Sequence, residues 1–441
     1  MKKATLSAFL LLLLVPAWCR AQWVIAPTSP YHSSYQTMSN LQITADGAIW
    51  ANCLRPHGLG AFDSYVYTST DAGQTWPQSL IGGGNVSTGP GRTASGIRAL
   101  DIWALDAANA WMVTHDYGTD QYQVLKTTTG PLGFGSPLAL PTTKPIQYVR
   151  FFNATEGIAL AAPDMVANTW GIYRSTDGGS TWTLKTVAGT TLTNEEFTSC
   201  EVVGRNVWGV TTSDKLIFTN DGGQTWAAAS PGIAKYRVVF RSATQGLAYG
   251  YDFVPSGQPV PVRRTTDGGL TWTPVAVAGP MRTTQVVAVA GQPGTYLSVG
   301  KYPQSGSALS KDDGLTWSNL ESTYSHDAVA TGPGNQAWAT ATDDAVTRTM
   351  MQLNASVLPT RASNPATPQG YPNPTTGVVT IEAAPYARQA TFFDVLGRVA
   401  GQQLLPTRAT RLDLTELAPA IYRVQLTGSS AEPVHFQVVR E

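Results

Sequence analysis

An octapeptide of the form Ser/Thr-x-Asp-x-Gly-x-Thr-Trp returns five times along the 441-residue chain, at Ser69–Trp76, Ser175–Trp182, Thr219–Trp226, Thr265–Trp272 and Ser310–Trp317. The last four tryptophans stand about 45 residues apart, the period of a four-stranded propeller blade. The interval from Trp76 to Trp182 is about twice as long and holds one degenerate copy, Lys126 to Phe134, in which Phe replaces Trp and the Asp is lost. The chemistry of the octapeptide is that of a hairpin that closes on itself. A short carboxylate at the tip accepts hydrogen bonds from turn amides, Gly supplies a positive φ, and Trp packs back into an apolar layer. Asp71, Asp177, Asp221, Asp267 and Asp312, with Trp76, Trp182, Trp226, Trp272 and Trp317, are therefore read as fold residues. A turn carboxylate already engaged by amides is a poor metal ligand or catalytic acid.

A second signal lies upstream of each box, where an apolar strand follows a turn. It appears at Asp46–Trp50, Ala108–Trp111, Glu156–Ala159, Arg205–Trp208, Gln245–Ala248, Gly294–Leu297 and Asn335–Trp338. These are seven units, of which six carry a box or its remnant, so the last one needs another strand. Gln22 to Ala26 is the expected donor, and closure of this kind removes exposed sheet edges. The expected architecture is all-β: a seven-bladed propeller over residues 22–356. Composition agrees, with 42 Gly, 29 Pro and 13 Trp and only 13% charged residues. Twenty-nine Lys+Arg balance twenty-nine Asp+Glu, so no basic field exists to hold a nucleic acid.

With these boxes, residues 22–356 resemble the Asp-box (BNR) repeat β-propeller superfamily. That group includes sialidases, xyloglucan-active glycosidases, sortilin-type receptors and photosystem II assembly factors. The resemblance implies a fold more than an activity, since its members share the hairpin and differ in chemistry.

Residues 1–21 read as a secretory signal peptide: Lys2 and Lys3 precede an apolar run from Leu6 to Val15, Pro16 breaks it, and small residues reach Ala21. The bulky Trp18 before Cys19 argues against a lipoprotein, so cleavage is expected after Ala21. No later run is long enough to form a transmembrane segment. Cys53 and Cys200 remain, far apart in sequence, and each reads as a small buried hydrophobe.

Residues 357–370 are polar and Pro-punctuated, the composition of an extended linker. Residues 371–441 alternate short apolar strands with turns. Strands are expected at Val378–Glu382, Ala390–Val395, Arg411–Leu414, Ile421–Leu426 and Val434–Val439, folded as a small antiparallel Ig-like sandwich. Tyr371-Pro372-Asn373-Pro374-Thr375-Thr376-Gly377, then Phe393-Asp394-Val395-Leu396-Gly397-Arg398-Val399, Leu412-Asp413-Leu414 and Ile421-Tyr422-Arg423-Val424 follow in order. They resemble the type A C-terminal sorting domain of type IX secretion. The resemblance implies the secretion machinery as partner, export through the periplasm, release or outer-membrane surface attachment, and Tyr371, Pro372, Asn373, Pro374, Gly377, Asp394, Gly397, Arg398 and Tyr422 as its signature.

Searches for chemistry return no catalytic set. A sialidase holds its substrate carboxylate with an Arg cluster and pairs a Tyr nucleophile with a Glu and an Asp acid. Its Phe/Tyr-Arg-Ile-Pro element is absent, with only Leu54-Arg55-Pro56 as a fragment. Glu195 and Glu196 are adjacent, so on a strand they face opposite ways. No metal or cofactor motif is present, and none is expected. Asp312-Asp313 reads as part of a turn. The stretch leading into each innermost strand borders the axial channel. There the chain places Tyr35, Arg98, Tyr148, Tyr236, Arg237, Arg282, Tyr324 and His326, aromatic and cationic groups suited to sugar rings, peptide side chains and carboxylates. The expected function is a secreted or cell-surface propeller that binds a glycan, peptide or protein at its channel mouth. The alternative is an exo-acting, sialidase-like glycoside hydrolase using the same mouth.

Overall fold

A computed structural model describes residues 22–26, 28, 37–56, 61–85, 95–188, 192–251, 260–342, 348–354, 357–358, 370–371, 374–381, 387–394, 398–405, 411–428 and 434–441. The signal sequence, Tyr35, nearly all of the linker, and Pro372, Asn373 and Gly397 lie outside the described residues. The chain divides into two units, Met1–Pro359 and Thr360–Glu441.

In the first unit the strands form antiparallel meanders. Their innermost members are Thr37–Ile43, Ser95–Ala104, Ile146–Phe151, Phe197–Val203, Tyr236–Phe240, Gln285–Ala288 and Val329–Gly332. Each touches the next in this order and the last touches the first, so the described strands close a ring. The second strand of each blade lies between two neighbouring blades and is buried on both faces. Gly157–Asp164 and Gly246–Gly250 accordingly read as continuous apolar or small-residue runs without alternation. The outermost strands, such as Thr183–Lys185 and Thr273–Val275, are short and exposed.

The ring closes through Trp23–Ile25, which pairs antiparallel with the last strand of the seventh blade: Trp23 with Leu353, Val24 with Gln352, Ile25 with Met351. The buried Trp23 indole also donates to Ser307 Oγ at 2.9 Å, tying the closing strand to the sixth blade.

All five octapeptides share the same carboxylate-centred turn, and all but the Ser175–Trp182 copy add an indole bond to a glycine carbonyl. In the Thr219–Trp226 copy, Thr219 Oγ1 donates to Asp221 Oδ1 (2.8 Å), the Thr225 amide donates to Asp221 Oδ1 (3.0 Å), and Thr225 Oγ1 donates to Asp221 Oδ2 (2.6 Å). The Gly223 amide donates to Thr219 Oγ1 at 3.0 Å, and the Trp226 indole donates to the Gly223 carbonyl at 3.2 Å. Gly223 has a φ of 81°, which the tip requires. These bonds favour the ionised carboxylate. The Thr75 and Thr181 hydroxyls and amides hold Asp71 and Asp177 down to about 2.

Two details depart from an even repeat. The first two blades join into one seven-stranded sheet, because Gly84 and Asn85 pair with Gly96 and Ser95. The degenerate box at Lys126–Phe134 becomes a short 3-10 turn over Pro131–Gly133, and the fourth strand of its blade shrinks to a single bridge between Val124 and Leu138. In place of the Asp, Thr127 Oγ1 accepts the Thr129 amide (3.2 Å) and donates to the Gly130 carbonyl (2.6 Å).

The second unit has a three-stranded sheet of Gly370–Tyr371, Val378–Ile381 and Arg411–Asp413. Its four-stranded sheet runs in the order Val399–Leu404, Ala387–Phe393, Ala420–Gly428, Val434–Arg440. Val379, Phe392, Leu412, Leu414, Tyr422, Val424 and Val438 fill its core. Val399–Leu404 was not foreseen from the sequence; as an edge strand with Leu404 81% exposed, it lacks the inward apolar alternation that marks its neighbours. Within the motif residues, Asp394 accepts the Arg398 amide (2.9 Å) and Nε (2.8 Å). The Tyr422 hydroxyl donates to the Ala418 carbonyl at 2.8 Å. Gly377 lies where a Cβ would stand 2.7 Å from Thr415 Cγ2, and Pro374 is exposed.

Candidate functional site: the channel mouth

The innermost strands carry polar side chains that reach across to the backbone of the next blade. Gln42 makes two bonds to Ala104, donating to its carbonyl (2.8 Å) and accepting its amide (2.9 Å). Asn40 donates to the Ile102 carbonyl at 3.1 Å, and Tyr148 Oη to the Thr198 carbonyl at 2.8 Å. Arg237 Nη1 donates to the Thr284 carbonyl at 2.6 Å, and Gln285 Oε1 accepts the Val329 amide at 2.9 Å. Polar residues in this layer therefore latch blades together, and a ligand has to use whatever capacity remains.

Asn40, Tyr148, Arg237 and Gln285 line one cavity of about 220 Å³ together with Asp101, Arg150, Glu201 and Tyr249. Asp101 and Arg150 form a buried pair, Oδ2 to Nη1 2.5 Å, with the Asn40 amide (2.9 Å) and the Val149 backbone amide (3.1 Å) completing the carboxylate. The Arg150 guanidinium lies over the Trp103 and Tyr148 rings at 4.9 and 5.0 Å. Burial works against the Arg150 charge, and the Asp101 carboxylate more than restores it.

Glu201 is different. Burial raises its carboxyl to about 7, only partly opposed by the Phe240 backbone amide and by Arg150. Burial also lifts the Cys200 thiol to about 12 and the Tyr249 hydroxyl to about 12, so neither is an ionised nucleophile at neutral pH. Arg237 is the cation of this cavity without an acidic partner among the described residues. Its guanidinium stacks 3.7 Å from the Tyr251 ring centroid.

Of the residues proposed from sequence, the structure brings Tyr148 and Arg237 together at this cavity. Tyr236 is 2% exposed and packs between the fourth and fifth blades with Trp208 and Leu216. Arg282 turns to Asn319 Oδ1 (3.0 Å) and Ser322 Oγ (3.4 Å) in the sixth blade. His326 is wholly buried, its ring nitrogens 2.8 Å from the Thr340 carbonyl and 2.9 Å from Glu321 Oε1, while Tyr324 packs beside the cluster closed by Trp23. Arg98 sits on the second blade opposite His115. Glu195 is buried against Lys215 (2.6 Å), and Asp313 pairs with Arg241 (2.7 Å). No group of three or more His, Cys, Asp or Glu side chains suited to a metal occurs among the described residues.

Sequence reasoning passed over Asp101, Arg150 and Glu201. They sit mid-strand rather than at strand starts, and a register shift between Ala99 and Asp101 places the carboxylate where simple alternation does not. The available signal was charge inside otherwise apolar innermost strands.

Residues 369–440 match the secretion system C-terminal sorting domain family. No curated protein matches the chain in sequence. Among solved structures, the chain is similar to YCF48 bound to D1 peptide, at 14% identity and a TM-score of 0.51 over 77% of this chain and 99% of that one. It is similar to YCF48 from Cyanidioschyzon merolae, at 12% identity and a TM-score of 0.50 over 76% of this chain and 99% of that one. A Trypanosoma rangeli sialidase in complex with the inhibitor DANA matches at 12% identity and a TM-score of 0.40, over 95% of this chain and 88% of that one. The likeness to the two YCF48 structures shows the fold, a propeller. The sorting domain establishes type IX export to the cell surface or extracellular space, and no described helix is long and apolar enough to cross a membrane.

Proposed function

We propose that this chain, an Asp-box β-propeller carrying a secretion system C-terminal sorting domain, is a surface-delivered binding protein that holds a glycan or peptide partner at its channel mouth. The observation that carries the reading is Arg237. It lines the cavity with one face on Tyr251 and, among the described residues, forms no ion pair, so the donors not given to the Thr284 carbonyl are left for an incoming acceptor. YCF48 with its D1 peptide is a propeller of similar fold that binds a peptide, which makes the peptide class a natural one to test.

Hydrolysis is the less supported reading. Asp101 is engaged by Arg150, Asn40 and Val149, and the Tyr148 hydroxyl donates to a carbonyl rather than to a carboxylate. Glu201 alone does not supply the two carboxyl groups of a glycosidase.

Three assays on the full chain test this. A glycan array and a capture screen against envelope and host extracts should return a ligand whose retention falls in Arg237→Ala. A fluorogenic sialoside should be left intact. Release of the fluorophore that is abolished by Arg237→Ala would replace binding with hydrolysis.

A further inference from the structure

Two blade boundaries at the octapeptide-bearing end share equivalent positions and fill them differently. Gly157 pairs with Phe151 and Ser175, and Gly246 pairs with Phe240 and Thr265, so Glu156 corresponds to Gln245 and Arg174 to Arg264. Between the third and fourth blades the chain supplies its own carboxylate. Glu156 Oε1 takes Arg174 Nη2 at 2.8 Å, and Oε2 takes Arg205 Nη1 of the next blade at 2.5 Å. Between the fifth and sixth blades that acid is absent: Gln245 stands in its place, and Gly294 occupies the position of Arg205. A cavity of about 180 Å³ opens there, lined by Arg264, Gln245, Thr266, Arg241, Tyr296 and Asp313, among others.

Arg241 and Asp313 hold each other, Nε to Oδ1 at 2.7 Å and Nη2 to Oδ2 at 3.3 Å. That leaves Arg264. Among the described residues its guanidinium forms no ion pair and no hydrogen bond, and the buried Gln245 Oε1 has no partner either. We propose that this cavity is a second binding site, independent of the channel mouth, which takes a sulfate or phosphate ester on Arg264 where the third blade provides Glu156. Two cations against one carboxylate leave the lining one positive charge, the complement of an oxyanion.

The donors favour a tetrahedral head over a planar carboxylate. They come from separate segments: Arg264 from the third strand of its blade, the Thr266 hydroxyl from the octapeptide, and the Gln245 amide from the turn before the second strand. A lone guanidinium fork matches two coplanar oxygens, whereas donors spread over three segments match oxygens that point in different directions. Rotation of the Gln245 amide turns its Nε2 donors toward the ligand. The two esters share this geometry, and the test separates them.

Calorimetric titration of the full chain with glucose 6-sulfate, glucose 6-phosphate, glucuronate and glucose tests the proposal. One or both esters should bind, glucuronate at least about tenfold more weakly, and glucose not at all. Gln245→Glu restores the carboxylate that the third blade holds at this position. It should keep the fold, checked by near-UV circular dichroism, and reduce ester affinity at least about tenfold. Arg264→Gln should do the same. Lys311→Ala removes an exposed cation on the octapeptide of the sixth blade, outside the cavity lining, and should leave binding unchanged. Binding of the sulfate alone assigns the site to sulfated ligands, and of the phosphate alone to phosphorylated ones. No binding of either ester, glucuronate binding as tightly as the esters, or full affinity in Gln245→Glu and Arg264→Gln would overturn the proposal.

Discussion

Trp208 lies flat on Phe240 across the boundary between the fourth and fifth blades, with ring centroids 3.6 Å apart and planes 6° from parallel. Trp111 and Phe151 repeat the arrangement between the second and third, at 3.8 Å and 6°. Gly246 is the cross-strand partner of Phe240, and a Cβ there would stand 2.6 Å from the ring. Gly246→Ala should therefore destabilise the propeller by about 2 kcal/mol through overpacking, and Trp208→Ala by about 4 kcal/mol through the cavity it leaves. Chemical denaturation of the full chain measures both.

The buried Arg150–Asp101 pair gives a second outcome. Arg150→Ala leaves an uncompensated buried carboxylate and should cost about 3–5 kcal/mol. Combining it with Asp101→Leu should recover most of that loss, because an apolar pair of similar volume removes the stranded charge. A double-mutant cycle in urea reports the coupling.

Acid should act through the octapeptide turns. Asp71 and Asp177 are held near 2 in the folded chain, below the ordinary value of about 3.9. Their contribution is present above about pH 4 and is lost as pH falls through the folded value. An Asp177→Asn chain should start less stable at pH 7 and lose less on going from pH 4 to pH 2, as followed by thermal melts.

The closing strand Trp23–Ile25 makes the ring a cooperative object. Trp23→Ala removes the indole bond to Ser307 as well as the ring that packs beside His326 at 5.5 Å. Amide exchange in the last strand, Arg348–Leu353, should then rise more than exchange in Ile146–Phe151 on the far side of the ring.

The fold was legible in the sequence because its instructions are local and repeated. An octapeptide whose own side chains satisfy its turn needs no distant partner to be recognised, and Trp76, Trp226, Trp272 and Trp317 each bond a glycine carbonyl three residues back. The site was legible only in part. Tyr148 and Arg237, to which strand order points, line one cavity, whereas Tyr236, Arg282 and His326 share the same sequence position and point into packing or neighbouring loops. Strand position sets which end of the channel a residue occupies; rotamer and blade width decide whether it faces the axis. Asp101 and Arg150 escaped notice because their pairing is between blades, and Glu201 because it stands mid-strand.

The mouth itself is best tested by surface plasmon resonance of the captured ligand against the full chain, comparing Arg237→Ala with Arg205→Ala, whose guanidinium pairs with Glu156 at the opposite, octapeptide-bearing end of the blades. The account predicts at least about a tenfold loss of affinity, roughly 1.4 kcal/mol, for Arg237→Ala and unchanged binding for Arg205→Ala. Full affinity in Arg237→Ala, with loss only in Arg205→Ala, would contradict it.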